Sequence, residues 1–222
     1  MGAIKSFVIR AGRLSPRQKR GLDQYLPDYQ LALTDTPWDW SECFGRTAEV
    51  VVELGFGMGH TLVTLAQENP QLNFLGIEVH KAGIGNLAMT LHEQKIENVR
   101  IAPYDALEVL QRAVAAESLA GINIFFPDPW PKARHKKRRL IQPEFVHLVV
   151  SRLRSGGWIH LATDWEDYAW QMLDVLAQDP DLVNLDEKGG FTPRPASRPL
   201  TKFEQRGLNL GHAVWDLIFR RR

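Results

Sequence analysis

Glu49–Gly59, EVVVELGFGMG, reads as a buried strand running straight into a glycine loop. A valine run closed by glycine is how a strand covered on both faces looks in sequence. Thr61–Asn69, stopped by Pro70, then has the spacing of a helix. Strand, glycine turn and helix form the opening unit of a doubly wound α/β sheet. The alternation continues outward from this unit. Strands are predicted over Asn73–Glu78, Val99–Pro103, Gly121–Phe126 and Trp158–Thr163, and helices over Lys81–Gln94, Ala106–Ala116, Pro143–Arg152 and Asp167–Gln178. The last helix is expected to be capped by Asp164 or a near neighbour. Leu182–Asp186 and Ala213–Phe219 read as two final strands with no helix between them, so the last is expected to run antiparallel. The fold class is therefore α/β: a doubly wound, mostly parallel seven-stranded sheet with helices on both faces. Residues 1–46, basic at first and then containing Pro and Trp, read as an arm, and residues 47–222 as the sheet domain.

The 222 residues are 44% apolar and 24% charged, ordinary values for a globular protein. No stretch is apolar for long enough to cross a membrane, and Met1–Arg13 lacks the apolar core of a secretory signal. Cys43 is the only cysteine, which excludes an internal disulfide and a cysteine-based zinc site. A cytoplasmic location, no membrane partner and no metal are the expectations. Net charge is only +1, yet Lys132–Arg139 (KARHKKRR) holds six Lys or Arg in eight residues. Arg10, Arg13, Arg17, Lys19 and Arg20 form a second basic group. A near-neutral body with local positive patches suits a phosphate backbone touching one face.

In doubly wound sheets ligands bind at the carboxyl ends of the strands. Glu53, Glu78, Asp105 and Asp128 fall at or just beyond four of those ends. Gly55, Gly57 and Gly59 let the chain turn tightly and approach a ligand. Their G-x-G-x-G spacing differs from the G-x-G-x-x-G of dinucleotide enzymes. Glu53 on the rim would repel a pyrophosphate and attract a cation. S-adenosylmethionine brings both an α-ammonium and a sulfonium, so the sign of the charge favours the methyl donor over NAD. Glu78 stands where an acid accepts hydrogen bonds from ribose hydroxyls, which both ligands have. Asp105 is placed to meet the adenine amino group, to cap the helix from Ala106, or to do both.

Phe126-Pro127-Asp128-Pro129-Trp130-Pro131 places an acid and an aromatic between three prolines. Proline fixes its own φ and restricts the residue before it, so Asp128 and Trp130 are held rigidly at the sheet edge. A flat base could stack on Trp130, while Asp128 orients it or meets developing charge. Lys132, Arg134, Lys136, Lys137, Arg138 and Arg139 follow at once and suit RNA phosphates. His135 is read as a further polar contact, since no metal-ligand partners stand near it. Asp164 is either a helix cap or a pocket wall.

Together these motifs resemble the bacterial tRNA (guanine-N7)-methyltransferases. The match runs from about Ser6 to Phe219. It is carried by ELGFGMG at Glu53–Gly59, GIEVH at Gly76–His80, FFPDPWPKARHKKRRL at Phe125–Leu140, ATDW at Ala162–Trp165, RPLTKFEQRG at Arg198–Gly207 and LGHAVWDL at Leu210–Leu217. The resemblance implies a Rossmann-like class I methyltransferase fold. It implies S-adenosylmethionine bound by Glu53, Glu78, Asp105 and Asp128, with Asp128 also catalytic and S-adenosylhomocysteine the product. It implies tRNA contacts at Lys132, Asp164, Thr201, Lys202, Phe203 and Glu204, and along Arg134–Arg139, and a target guanine in the variable loop, usually position 46. No obligatory protein partner is expected, with the chain a monomer or homodimer. Two positions depart from the family pattern: Asn209 stands where arginine is common and Ala213 where glycine is usual. An NAD-dependent oxidoreductase, a methyltransferase of exocyclic amines and a non-catalytic RNA-binding protein are the competing classes.

Overall fold

The computed structural model describes residues 12–222 apart from 202, 203, 206, 208–210 and 212. Seven strands form one sheet: β1 Val50–Leu54, β2 Asn73–Ile77, β3 Val99–Ala102, β4 Leu119–Phe125, β5 Leu153–Thr163, β6 Leu182–Asn184 and β7 Trp215–Arg221. Their order across the sheet is β3-β2-β1-β4-β5-β7-β6. β1 pairs in parallel with β2 and β4, while β7 runs antiparallel to both β5 and β6. The expected reversal of the final strand is what the structure shows. All five residues of β1 are buried, as a central parallel strand requires.

Strand periodicity divides the core into two layers. Val50, Val52 and Leu54 face one layer, with Val109 and Leu110 of α6 (Ala106–Arg112), Val149 of α7 (Pro143–Arg152) and Met172 of α8 (Glu166–Ala177). Val51 faces the other, with Leu62 of α4 (His60–Glu68) and Leu87 of α5 (Lys81–Gln94). Helix α6 ends at Arg112, four residues before the sequence suggests. The carbonyl of Ala113 accepts from Trp38 N–H (2.8 Å), and Glu117 N–H turns to Ser151 O (3.1 Å), so the helical ladder stops there.

Residues 16–44, within the segment expected to be an arm, are laid against the body. Helix α1 (Pro16–Arg20) runs through a π-helical turn at Gly21–Tyr25 into α2 (Leu26–Tyr29), and α3 (Trp40–Phe44) follows. Ser15 opens α1 with a capping box closed by Gln18. Gly21 and Gly85 let α1 and α5 cross closely, since a Cβ on Gly21 would stand 1.9 Å from Gly85 O. Arg17 fastens the crossing by donating to Asn86 Oδ1 (2.9 Å) and Thr90 Oγ1 (3.2 Å). Gln30 then bridges to Ile101 and covers the exposed edge of β3. Arg10 and the rest of residues 1–11 lie outside the described residues. Among the described residues no helix is long and apolar enough to cross a membrane.

Candidate active site

The carboxyl ends of β1, β2, β3 and β4 open into one cleft. Its floor and walls include Leu54, Gly55, Ile77, Glu78, Tyr104, Asp105, Leu107, Ile124, Phe125 and Asp128. Sequence reasoning therefore placed Glu78, Asp105 and Asp128 in a common cleft, although they are 50 residues apart along the chain. Each arrives by a similar route: a parallel strand ends at the cleft, and an acid follows within three residues.

The glycine loop is built by left-handed backbone. Gly55, Gly57 and Gly59 have φ of 71°, 56° and 79°, a region costly for residues with a Cβ. Glu78 holds the loop in place. Its Oε2 accepts Gly57 N–H (3.0 Å), and its Oε1 accepts Val79 N–H (2.7 Å) and His80 N–H (3.0 Å) and contacts His80 Nδ1 (2.8 Å). The glutamate read as a ribose ligand thus also ties β2 to the loop from β1. Asp105 accepts Leu107 N–H (2.8 Å) and caps α6, so the capping alternative is realised at a residue that also lines the cleft.

Glu53, the fourth residue of β1, is not among the residues that line this cleft. It is 4% exposed, and its Oε2 is buried without a hydrogen-bond partner. Burial, with the Glu78 carboxylate adding repulsion, pushes its pKa up from 4.5 to about 8. A buried acceptor with nothing to accept costs stability, typically about 1–3 kcal/mol. An orphaned carboxyl oxygen two residues before the glycine turn fits a cationic ligand group, beside which it would ionise, and would oppose a pyrophosphate.

On the opposite rim the Pro-Asp-Pro-Trp-Pro loop leaves β4. Phe126 (φ 52°) and Trp130 (φ 43°) both adopt left-handed backbone immediately before a proline. Such conformations cost about 1–3 kcal/mol each and persist where their surroundings over-determine them. Asp128 sits between them with its side chain exposed. The basic run forms a 3-10 helix over Ala133–Arg138 directly after the loop. Arg138 covers the Trp130 ring at 4.9 Å, and His135 meets its edge at 5.8 Å. Desolvation and the charges of Arg134 and Arg138 hold the His135 pKa below its ordinary value. Lys132, Arg134 and Lys137 are exposed, whereas Lys136 pairs with Asp167 at 2.8 Å.

Arg139, Glu204 and Thr201 are engaged inside the protein, and one of the two readings of Asp164 is excluded. Arg139, expected to contact RNA, is 2% exposed and its guanidinium is engaged inside the protein. Glu204, expected to contact substrate, is 2% exposed and forms a two-pronged pair with Arg198 at 2.6 Å on each prong. Thr201 Oγ1 accepts Glu204 N–H (3.1 Å), so it serves the same anchor. Asp164 does not cap α8: Trp165 holds the cap position, and Thr163 Oγ1 accepts Trp165 N–H (3.2 Å). The Asp164 carboxylate remains at the carboxyl end of β5. Lys202, Phe203 and Asn209 lie outside the described residues. The apolar cleft walls at Tyr104, Leu107 and Leu140, and the buried Arg198–Asp216 pair, escaped the sequence reading. His80 and Arg198 stand inside GIEVH and RPLTKFEQRG, the one signal that pointed to them.

Comparison with other proteins agrees with this geometry. A family profile described as "Putative methyltransferase" matches residues 47–217. The tRNA (guanine-N(7)-)-methyltransferase of Legionella pneumophila (strain Paris) is 58% identical over 97% of this chain and 92% of its own length. That of Paraburkholderia xenovorans (strain LB400) is 53% identical over 99% of this chain and 84% of its own. Among solved structures, the 16S rRNA methyltransferase KamB superposes with a TM-score of 0.58 at 13% identity, covering 86% of this chain and 96% of its own, a likeness of fold alone. The chain belongs to the family of bacterial tRNA (guanine-N7)-methyltransferases.

Proposed function

We propose that this protein transfers a methyl group from S-adenosylmethionine to N7 of a guanine in tRNA, at position 46 of the variable loop, in the cytoplasm. The observation that carries the donor assignment is the orphaned Glu53 Oε2 at the end of the strand that feeds the left-handed glycine loop. It calls for a cation, and the amino-acid end of the donor supplies one. Glu78 and Asp105, on the neighbouring strand ends, face the adenosine end. The apolar walls at Leu54, Ile77 and Leu107 suit a flat adenine.

Bound S-adenosylmethionine supplies an electrophilic methyl group. Guanine N7 carries an in-plane lone pair and no proton, so attack needs no general base. The N7–carbon bond forms as the sulfur–carbon bond breaks, sulfur keeps the electron pair, and the positive charge passes to the base. A carboxylate beside the base stabilises that charge, the counterpart of an oxyanion hole. Asp128, on the cleft rim, is assigned this role, and Trp130 the stacking surface for the base. Lys132, Arg134 and Lys137 face solvent beside them and, with Arg138 over the Trp130 ring, hold RNA phosphates. No metal enters this scheme, and one copy of the chain or a homodimer suffices for it.

The test is incubation of unmodified tRNA with the donor, followed by nucleoside mass spectrometry. The expected product is 7-methylguanosine, lost when the variable-loop guanine is replaced by adenosine. A methyl group on an exocyclic amine, or no transfer, would reject the assignment.

A further inference from the structure

One member of the basic run has turned away from solvent. Arg139 is buried, and each nitrogen of its guanidinium has a partner. Nε donates to Pro129 O (2.8 Å), Nη1 to Gln171 Oε1 (2.7 Å) and Nη2 to Asp167 Oδ2 (2.6 Å). The guanidinium also lies over the Tyr168 ring at 4.7 Å. Asp167, Tyr168 and Gln171 all belong to α8, so the arginine joins that helix to the carbonyl between Asp128 and Trp130. The platform itself is fixed. Tyr168 is fully buried and accepts Ile141 N–H (3.1 Å), and Gln171 Nε2 donates to Ile141 O (3.1 Å). Burial raises the Tyr168 pKa, so its hydroxyl stays neutral throughout the physiological range.

The loop needs such a tie. Three of its six residues, Pro127, Pro129 and Pro131, have no backbone N–H, so the loop cannot hold itself by a hydrogen-bonded ladder. Phe126 and Trp130 stand in left-handed backbone before proline and must be held by contacts made elsewhere. A planar guanidinium with rigidly forked donors can grip a carbonyl, an amide and a carboxylate at once; a lysine ammonium is a point charge and cannot match that geometry.

We propose that Arg139 is a positioning residue for methyl transfer: through the Pro129 carbonyl it holds Asp128 and Trp130 in register with the donor cleft, and it makes no contact with RNA. This rests on the methyltransferase reading above. A displacement of about 1 Å at a reacting centre can cost 10²-fold in rate. Arg139→Lys keeps the charge beside Asp167 but gives up the simultaneous grip on Pro129 and Gln171. Its single-turnover rate at saturating tRNA and donor is expected to fall by about 10²-fold. Its tRNA affinity and the salt dependence of that affinity should match those of the unaltered protein.

A second readout needs no activity: the ¹⁹F resonance of 5-fluorotryptophan at position 130, assigned with Trp130→Phe, should shift and broaden in Arg139→Lys. Should Arg139→Lys fail to fold, Asp167→Asn removes one tie from the exposed side and frees Lys136, so a roughly tenfold rate loss with tRNA affinity unchanged or raised is expected. Weakened tRNA binding with a flatter salt dependence and a normal single-turnover rate would overturn the proposal and return Arg139 to the phosphate-binding set. So would a normal rate with an unmoved ¹⁹F resonance. If the unaltered protein methylates no tRNA, the activity reading fails, while the resonance still decides whether Arg139 braces the loop.

Discussion

Two carboxylates carry the proposed chemistry, and the fold treats them oppositely. Glu53 is buried with its Oε2 unpartnered and its pKa pushed up to about 8, whereas Asp128 is exposed on the rim. A carboxyl whose folded pKa is raised by burial binds a proton more tightly folded than unfolded. Its contribution to stability is intact below about 4.5 and is lost as pH rises through about 8. A cation on Glu53 favours the ionised form, so ligand binding displaces that proton. Affinity for S-adenosylhomocysteine should therefore climb as pH rises towards 8, with proton release seen by calorimetry in buffers of different ionisation enthalpy. Glu53→Gln should lose both effects and bind roughly 10- to 100-fold more weakly, the worth of one charge-assisted hydrogen bond. Asp128→Asn should unfold at the same temperature as the unaltered protein, because it removes no buried contact. Its single-turnover rate should fall on the order of 10²–10³-fold, as when one charge-stabilising group is lost. A near-normal rate would remove Asp128 from the mechanism.

At the scale of elements, the 3-10 helix Ala133–Arg138 divides its charges between two tasks. Arg134 and Lys137 point to solvent, and Lys136 is paired to Asp167. The double variant Arg134→Ala with Lys137→Ala should weaken tRNA binding and lower the slope of log affinity against log salt by roughly 0.7–0.9 per charge removed. The melting temperature should stay put. An unchanged slope would mean the run does not touch phosphates. This division was invisible in the sequence, where all six cations look alike. Periodicity and glycine spacing located β1, the loop and the acids at the strand ends, because those signals are local. Whether Arg139 or Lys137 turned inward depended on α8, reached only through tertiary packing. The short helices before β1 were missed for a related reason: each is four or five residues long, too short for a periodic pattern, and Leu22, Tyr25 and Leu26 are apolar because they cover α5 and its neighbours.

Across the whole molecule, β7 connects the core to the segment that carries Thr201–Glu204. Arg198 bridges them, donating to Asp216 of β7 (2.7 and 2.9 Å) and to Glu204, while His160 of β5 meets Asp216 at 2.8 Å. Arg198 also faces the rings of Phe125 and Phe126 at 5.8 Å, where the proline-rich loop leaves β4. Against the desolvation imposed by burial, the His160 and Arg198 bonds hold the Asp216 pKa below its ordinary value. A depressed carboxyl pKa contributes stability above the unfolded value of 3.8, lost as pH falls through the folded pKa. Asp216→Asn should therefore destabilise the protein at neutral pH by about 3–5 kcal/mol, the usual loss when one partner of a buried pair is removed. Denaturant unfolding across pH should show the deficit shrinking at the acid end; a constant deficit would mean Asp216 is not the group that titrates.

These scales meet at the glycine loop, over which the donor is proposed to lie. A crystal structure of the protein with S-adenosylhomocysteine tests that meeting point directly. The α-ammonium should lie over the loop and give Glu53 Oε2 its partner, with the ribose near Glu78 and the adenine near Asp105. A cleft that stays empty in that experiment yet fills with a nicotinamide dinucleotide would contradict the account.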